Sequence, residues 1–114
     1  MKNYKTQEVS YDVSGGDKTW DSFPFEGSSF IGVQFFYTSL NQADHTLRLQ
    51  ESIDGVNFVD ALDTSGSVIE MTIDNSLSSD ILKSYNYNTA YVRFQFIEGT
   101  TGTGTIDKLM IVIE

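Results

Sequence analysis

Cysteine is absent from this 114-residue chain, and proline occurs once, at Pro24. The first absence removes disulfide frameworks, thiolate metal sites and thiol nucleophiles, and it leaves the redox compartment open. Basic residues are scarce as well, seven against sixteen acidic ones, for a net charge of −9. Nucleic-acid binding rests largely on Lys and Arg neutralising phosphates, so no nucleic-acid partner is expected. An anionic membrane surface is no better matched. Long apolar runs are missing too: the longest near the end is LMIVI, Leu109 to Ile113, far short of the ~20 residues of a membrane helix. The opening MKNYKTQEVSYDV carries two lysines with no apolar stretch behind them. No signal peptide and no membrane partner are therefore expected, and the chain reads as soluble when free.

What is present can fill a core. Hydrophobic residues make up 39% of the chain and aromatics 13%, with eight Phe, six Tyr and one Trp. Such side chains bury large areas without help from disulfides, so residues 1–114 read as one domain. Residues 5–13 alternate, with Val9, Tyr11 and Val13 on one side, and end at the turn cluster Ser14-Gly15-Gly16-Asp17. FIGVQFFY, Phe30 to Tyr37, is apolar on both faces and reads as a central strand. VIEMTI (68–73) alternates again, AYVRFQFI places Val92, Phe94 and Phe96 together, and GTIDKLMIVIE does the same for Leu109, Ile111 and Ile113. The Ser- and Asn-rich stretch 74–89 is expected to hold one short helical turn at Asp80–Lys83. The fold expected is an all-β antiparallel β-sandwich, jelly-roll or immunoglobulin-like, of about seven to eight strands.

LQESIDGVNFVDAL, Leu49 to Leu62, sets Asp54-Gly55 between two alternating arms. A two-residue turn there pairs Ile53 with Val56, Glu51 with Phe58, Leu49 with Asp60 and Leu47 with Leu62. Leu47, Leu49, Ile53, Val56, Phe58 and Leu62 would then share one apolar face, interrupted by Glu51 and Asp60. Those two acids would be diagonal neighbours, a spacing open to acid–base work or calcium. A bulge or a sheet rim that turns both to solvent is the expected reading. Asp54 and Asn57 are expected to bond local backbone.

Other candidates for chemistry are thin. His45, the only histidine, sits beside Asp44 in NQADHT and is expected at the surface of a loop. The Gly/Thr-rich stretch before Ile106 lacks the GK[ST] ending of a phosphate loop and reads as a hairpin connection between the last two strands. Trp20, Phe23, Phe25, Tyr85 and Tyr87 are expected to cap the sandwich or meet a protein partner, the alternative being a platform for sugars. No residue is assigned a catalytic, cofactor-binding or metal-ligating role, and no cofactor is expected.

QESIDGVNFVDAL, followed by TAYVRFQF and then TGTGTIDKLMIVI, resembles small β-sandwich virion proteins of tailed bacteriophages, the crAss-like phages in particular. The resemblance covers roughly residues 30–114 and transfers no catalytic residue. It implies a non-enzymatic auxiliary or decoration protein on the capsid exterior, or part of a head fibre. Its partners would be the major capsid protein or other virion proteins, with self-association into a homo-oligomer left open. The same hairpin and YVRF strand also look like discoidin-type, galactose-binding-like jelly rolls, although Phe58 stands where tryptophan is more usual. That likeness implies the alternative of a carbohydrate-binding module.

Overall fold

Strands adjacent in the chain are dealt out between two antiparallel sheets, in a computed structural model that describes residues 2–114. In chain order they are β1 (Asn3–Asp12), β2 (Lys18–Thr19), β3 (Phe23–Pro24), β4 (Ile31–Thr38), β5 (Thr46–Ser52), β6 (Val59–Asp60), β7 (Glu70–Thr72), β8 (Ser79–Ser84), β9 (Tyr91–Ile97) and β10 (Thr105–Ile113). One sheet runs β1-β10-β4-β8; the other runs β2-β9-β5-β6, with β3 added to β9 and β7 to β5. The expected sandwich is thus present, with ten strands among the described residues. The strands beyond expectation are β8 and the pair β2 and β3, the latter two each two residues long and too short for any alternation to register.

The chain changes sheet at every step from β1 to β2, β3 to β4, β4 to β5, β7 to β8, β8 to β9 and β9 to β10. An immunoglobulin sandwich keeps successive strand pairs in one sheet and crosses far less often. The jelly-roll alternative therefore holds. It also corrects the connection ahead of Ile106: β9 and β10 lie in different sheets, so residues 98–104 bridge the layers and form no hairpin. Those glycines have a packing reason. Gly99 presses against Asp44, and Gly104 (φ +122°) leaves no room for a Cβ beside the Ser39 carbonyl.

Side-chain alternation fills the space between the layers. Ile31, Val33, Phe35 and Tyr37 of β4 face Leu47 and Leu49 of β5 and Val92, Phe94 and Phe96 of β9, all buried. Trp20, Phe23, Phe25 and Tyr87 are buried in the same core, and only Tyr85 stays exposed. That burial withdraws Trp20 from any sugar platform.

β8 replaces the helical turn expected at Asp80–Lys83. Its residues pair with β4 from Ile31↔Ser84 to Phe36↔Ser79. The partner decides: an apolar central strand with unpaired edge groups outweighs the weak local preference of a polar segment.

The core makes a direct prediction. Phe35→Ala should cost about 3–5 kcal/mol through cavity formation, read from urea denaturation. Thr6→Ala, exposed on the opposite face of the same sheet, should stay within about 0.5 kcal/mol of the parent.

Candidate functional site

The four-stranded sheet has an outer face that no other element covers. Register places Tyr4, Val112, Gly32 and Lys83 in one row across it, Thr6, Met110, Gln34 and Ile81 in the next, and Glu8, Lys108, Phe36 and Ser79 in a third. Directly opposed residues share a face, so all of these point away from the core. Gly32 leaves a gap in the first row. The ring of Phe30 lies over it, so a Cβ there would come within 3.2 Å of Phe30 Cζ and 3.3 Å of Val112 Cγ1. Phe30 is held in place by the chain end: its amide donates to the Glu114 carbonyl (2.9 Å), and the Glu114 amide donates back to the Phe30 carbonyl (3.0 Å).

The result is a groove of about 260 Å³ lined by Tyr4, Phe30, Ile81, Met110 and Val112, with Lys83 at its margin and no acidic side chain; the Lys5 side chain points the other way and lies over the Phe23 ring at 5.1 Å. Beside it Phe30 stacks on Tyr85 at 4.9 Å between ring centroids. Tyr4 is 75% and Tyr85 63% exposed.

A second surface lies at the β5–β6 connection. Asp54 organises it. Its Oδ1 accepts from Ser52 Oγ (2.8 Å), the Val56 amide (2.9 Å) and the Asn57 amide (2.8 Å), and its Oδ2 accepts from Asn57 Nδ2 (2.8 Å). Bonds from the Asn57 amide first, then from the Val56 amide, hold this carboxyl far below the usual carboxylate range. The local bonding expected of Asp54 and Asn57 is present, but the two-residue turn is not. Residues 53–58 form the connection, Glu51 pairs with Val59 and Gln50 with Asp60.

That one-residue slip overturns the predicted apolar face. Leu47 and Leu49 remain buried, Ala61 joins them, and Ile53 and Val56 emerge 81% and 78% exposed. The physical reason is competition. A two-residue turn has no room for the Asp54 bonds, and these local side-chain bonds win over tighter pairing.

The slip also parts the two acids. Asp60 lies on the outer face, taking Arg48 Nη1 at 3.3 Å and Gln50 Nε2 at 3.2 Å. Glu51 shares the inner side of β5 and accepts from Tyr87 Oη at 2.9 Å. Burial, then that bond, pushes the Tyr87 hydroxyl upward. No carboxylate pair remains. Among the described residues no three His, Asp or Glu side chains are grouped to hold a metal.

His45 is the plainest correction. It is fully buried, its ring 5.0 Å from that of Phe96. Nδ1 accepts from the Gly99 amide at 3.2 Å, and Nε2 is buried without a partner among the described residues. Asp44 turns away to accept from the Thr100 amide (2.8 Å) and hydroxyl (2.6 Å). Together they tie residues 44–45 to the bridge between the sheets.

Nine large apolar side chains are exposed among the described residues. Tyr4, Ile81, Tyr85 and Met110 surround or adjoin the groove; Ile53, Val56, Val59 and Leu62 belong to the β5–β6 arm; only Leu77 stands apart. Sequence reasoning missed both groupings. The available signal was Gly32 inside an apolar run, since a glycine within a strand marks a close approach.

No family model and no curated protein matches the chain in sequence. Solved structures match it in fold. SPBc2 prophage-derived protein YomS superposes with a TM-score of 0.56 at 8% identity, over 100% of this chain and 96% of that one. PliG of Aeromonas hydrophila, a periplasmic lysozyme inhibitor of g-type lysozyme, gives 0.53 at 8% identity over 99% and 86%. The VP2 subviral particle of infectious bursal disease virus gives 0.50 at 12% identity, over 99% of this chain but 32% of that one. At such identities the likeness is of fold: a β-sandwich found in prophage-derived and viral proteins as well as an enzyme inhibitor.

Two substitutions test the loop. Gly55 has φ +77°, and a Cβ there would meet the Tyr91 ring at 3.4 Å, so Gly55→Val should cost about 1–3 kcal/mol. Asp54→Ala should destabilise in a pH-dependent way. A carboxyl whose folded pKa is depressed stabilises fully above its unfolded value near ~3.9 and loses this as pH falls through the folded value. Melting temperatures of parent and Asp54→Ala should therefore differ by a constant amount from neutral pH down to about 5, and the gap should begin to narrow below about 4 and go on narrowing as pH falls toward the depressed folded value. A gap independent of pH would mean that the carboxylate does not hold the loop.

Proposed function

We propose that this chain is a non-enzymatic structural protein of a tailed-bacteriophage virion, bound to the capsid exterior as an auxiliary or decoration protein or as part of a head fibre. The observation that carries the reading is the pairing of two separate apolar surfaces on an otherwise charged sandwich, one on each sheet. Exposed apolar side chains scattered singly are ordinary, whereas contiguous patches mark contact with another molecule. A domain with more than one such patch suits a component held among neighbours. The acidic surface directs it toward protein partners, the major capsid protein first among them, and away from packaged DNA. Support at the level of fold comes from the prophage-derived YomS, matched over nearly the whole of both chains.

A carbohydrate-binding role is the second reading, favoured by exposed Tyr85, tilted against half-buried Phe30, with exposed Tyr4 on the same face of the groove. It ranks lower because the groove beside these rings is mainly apolar and offers few convergent donors and acceptors for sugar hydroxyls.

Co-sedimentation with capsids stripped of accessory proteins tests the first reading. The parent should pellet with particles at micromolar concentration, and Ile81→Asp combined with Ile53→Asp should lower binding at least about tenfold, equivalent to roughly 1.4 kcal/mol. Absence of co-sedimentation, with saturable binding to a glycan that Tyr85→Ala abolishes, would move the assignment to the second reading. Buried Trp20 is a poor reporter for that titration, so calorimetry is the readout.

A further inference from the structure

We infer that the two apolar surfaces are partners for each other across copies: the Ile53–Val56 loop of one molecule seats in the Gly32 groove of the next. This rests on reading both patches as assembly surfaces and names the occupant of one of them.

Charge is the first argument. The chain as a whole is −9, yet the groove is bordered by Lys83 and has no acid in its lining. Lys108 on the same face, over Phe36 at 4.9 Å, is matched by Glu8 opposite it in the third row, so Lys83 is the cation that the groove itself presents. The loop is its complement. No lysine or arginine occurs between Arg48 and Lys83, and Ile53 and Val56 flank Asp54. Arg93 lies near the base of the loop, over Phe58 at 4.1 Å, and is engaged there by Gln50. Face-to-face pairing of two grooves would instead bring cationic margins together, so a head-to-tail contact is favoured.

Size and preorganisation are the second argument. A groove of about 260 Å³ is below the ~300–1,000 Å³ of small-molecule pockets and suits one or two aliphatic side chains. The loop offers such side chains already ordered, because the Asp54 bonds fix its backbone before docking, which lowers the entropy cost of binding.

The patches lie on different sheets, so the contact is heterologous and propagates into a ring or a row. One contact buries less than the ~800 Å² per partner of a standard interface. It is therefore weak singly and gains strength by repetition.

Sedimentation of the purified chain alone tests this, so its failure leaves particle binding intact, and failure of particle binding leaves it intact. The sedimentation coefficient of the parent should rise between about 10 µM and about 1 mM, the range of a small interface. Lys83→Glu spoils the groove and Ile53→Asp spoils the loop; both positions are exposed, and thermal melts confirm folding. Each variant alone should remain monomeric. Their equimolar mixture should form a one-to-one dimer and stop there, since one molecule keeps a sound groove and the other a sound loop. A parent that stays monomeric throughout overturns the inference. So does a mixture that fails to dimerise, or association that survives Ile53→Asp, which would indicate groove-to-groove pairing.

Discussion

The last strand carries the constraint on which the rest of the structure depends. β10 pairs with β1 on one side and β4 on the other, and it must send both Ile106 and Leu109 into the core. Residues three apart on a regular strand face opposite ways. The conflict is resolved at Asp107, which has no counterpart on β4 between the pairs Ile106↔Tyr37 and Lys108↔Phe36. On the other side Val9 and Ser10 together oppose it, and Ser10 takes φ +41°. Thr38 Oγ1 donates to Asp107 Oδ2 at 2.7 Å and secures the extra residue. Without these bulges one half of β10 would turn its apolar side chains to solvent. The strand's end would also miss Phe30, whose ring closes over Gly32 and shapes the groove.

The β5–β6 connection shows the same contest at smaller scale. Asp-Gly between alternating arms favours a two-residue turn, and Gly55 does take the positive φ such turns need. Yet Asp54 is not in that region. A carboxylate that accepts from Ser52, Val56 and Asn57 is satisfied only by a wider loop. Strand pairing then yields a register that exposes Ile53 and Val56. Apolar surface appears because a polar group is fully bonded.

Much of the architecture was legible in the sequence, and the rest failed for identifiable reasons. β4, β5 and β9 were readable because each alternates, or is apolar on both faces, over seven residues or more, and the second half of β10 because Leu109, Ile111 and Ile113 alternate within an apolar run. β8 was not, since SDILKS buries only Ser84 fully and Leu82 in part, and takes its conformation from β4. His45 was misplaced because nothing local announces that the bridge between β9 and β10 will fold over it; its partner, the Gly99 amide, is 54 residues away. The two surfaces were invisible for a related reason. One is assembled by register across β1, β10, β4 and β8, and the other by a one-residue slip, and neither follows from composition.

An exposed apolar face on an open sheet risks indiscriminate pairing at its edges, and here the edges are guarded. β1 carries Lys5, Glu8 and Asp12 and breaks its ladder at the Val9–Ser10 bulge; β8 carries Asp80 and Lys83. Charges and bulges on edge strands discourage edge-to-edge addition. The high net charge adds general repulsion between copies. Under those conditions apolar surface stays available only to a partner that meets it face-on with complementary charge. Lys83 therefore has two effects from one position: at the sheet edge it resists strand addition, and at the groove margin it favours an acidic visitor. Selective contact on this sandwich follows from where its few cations lie more than from the apolar area it exposes.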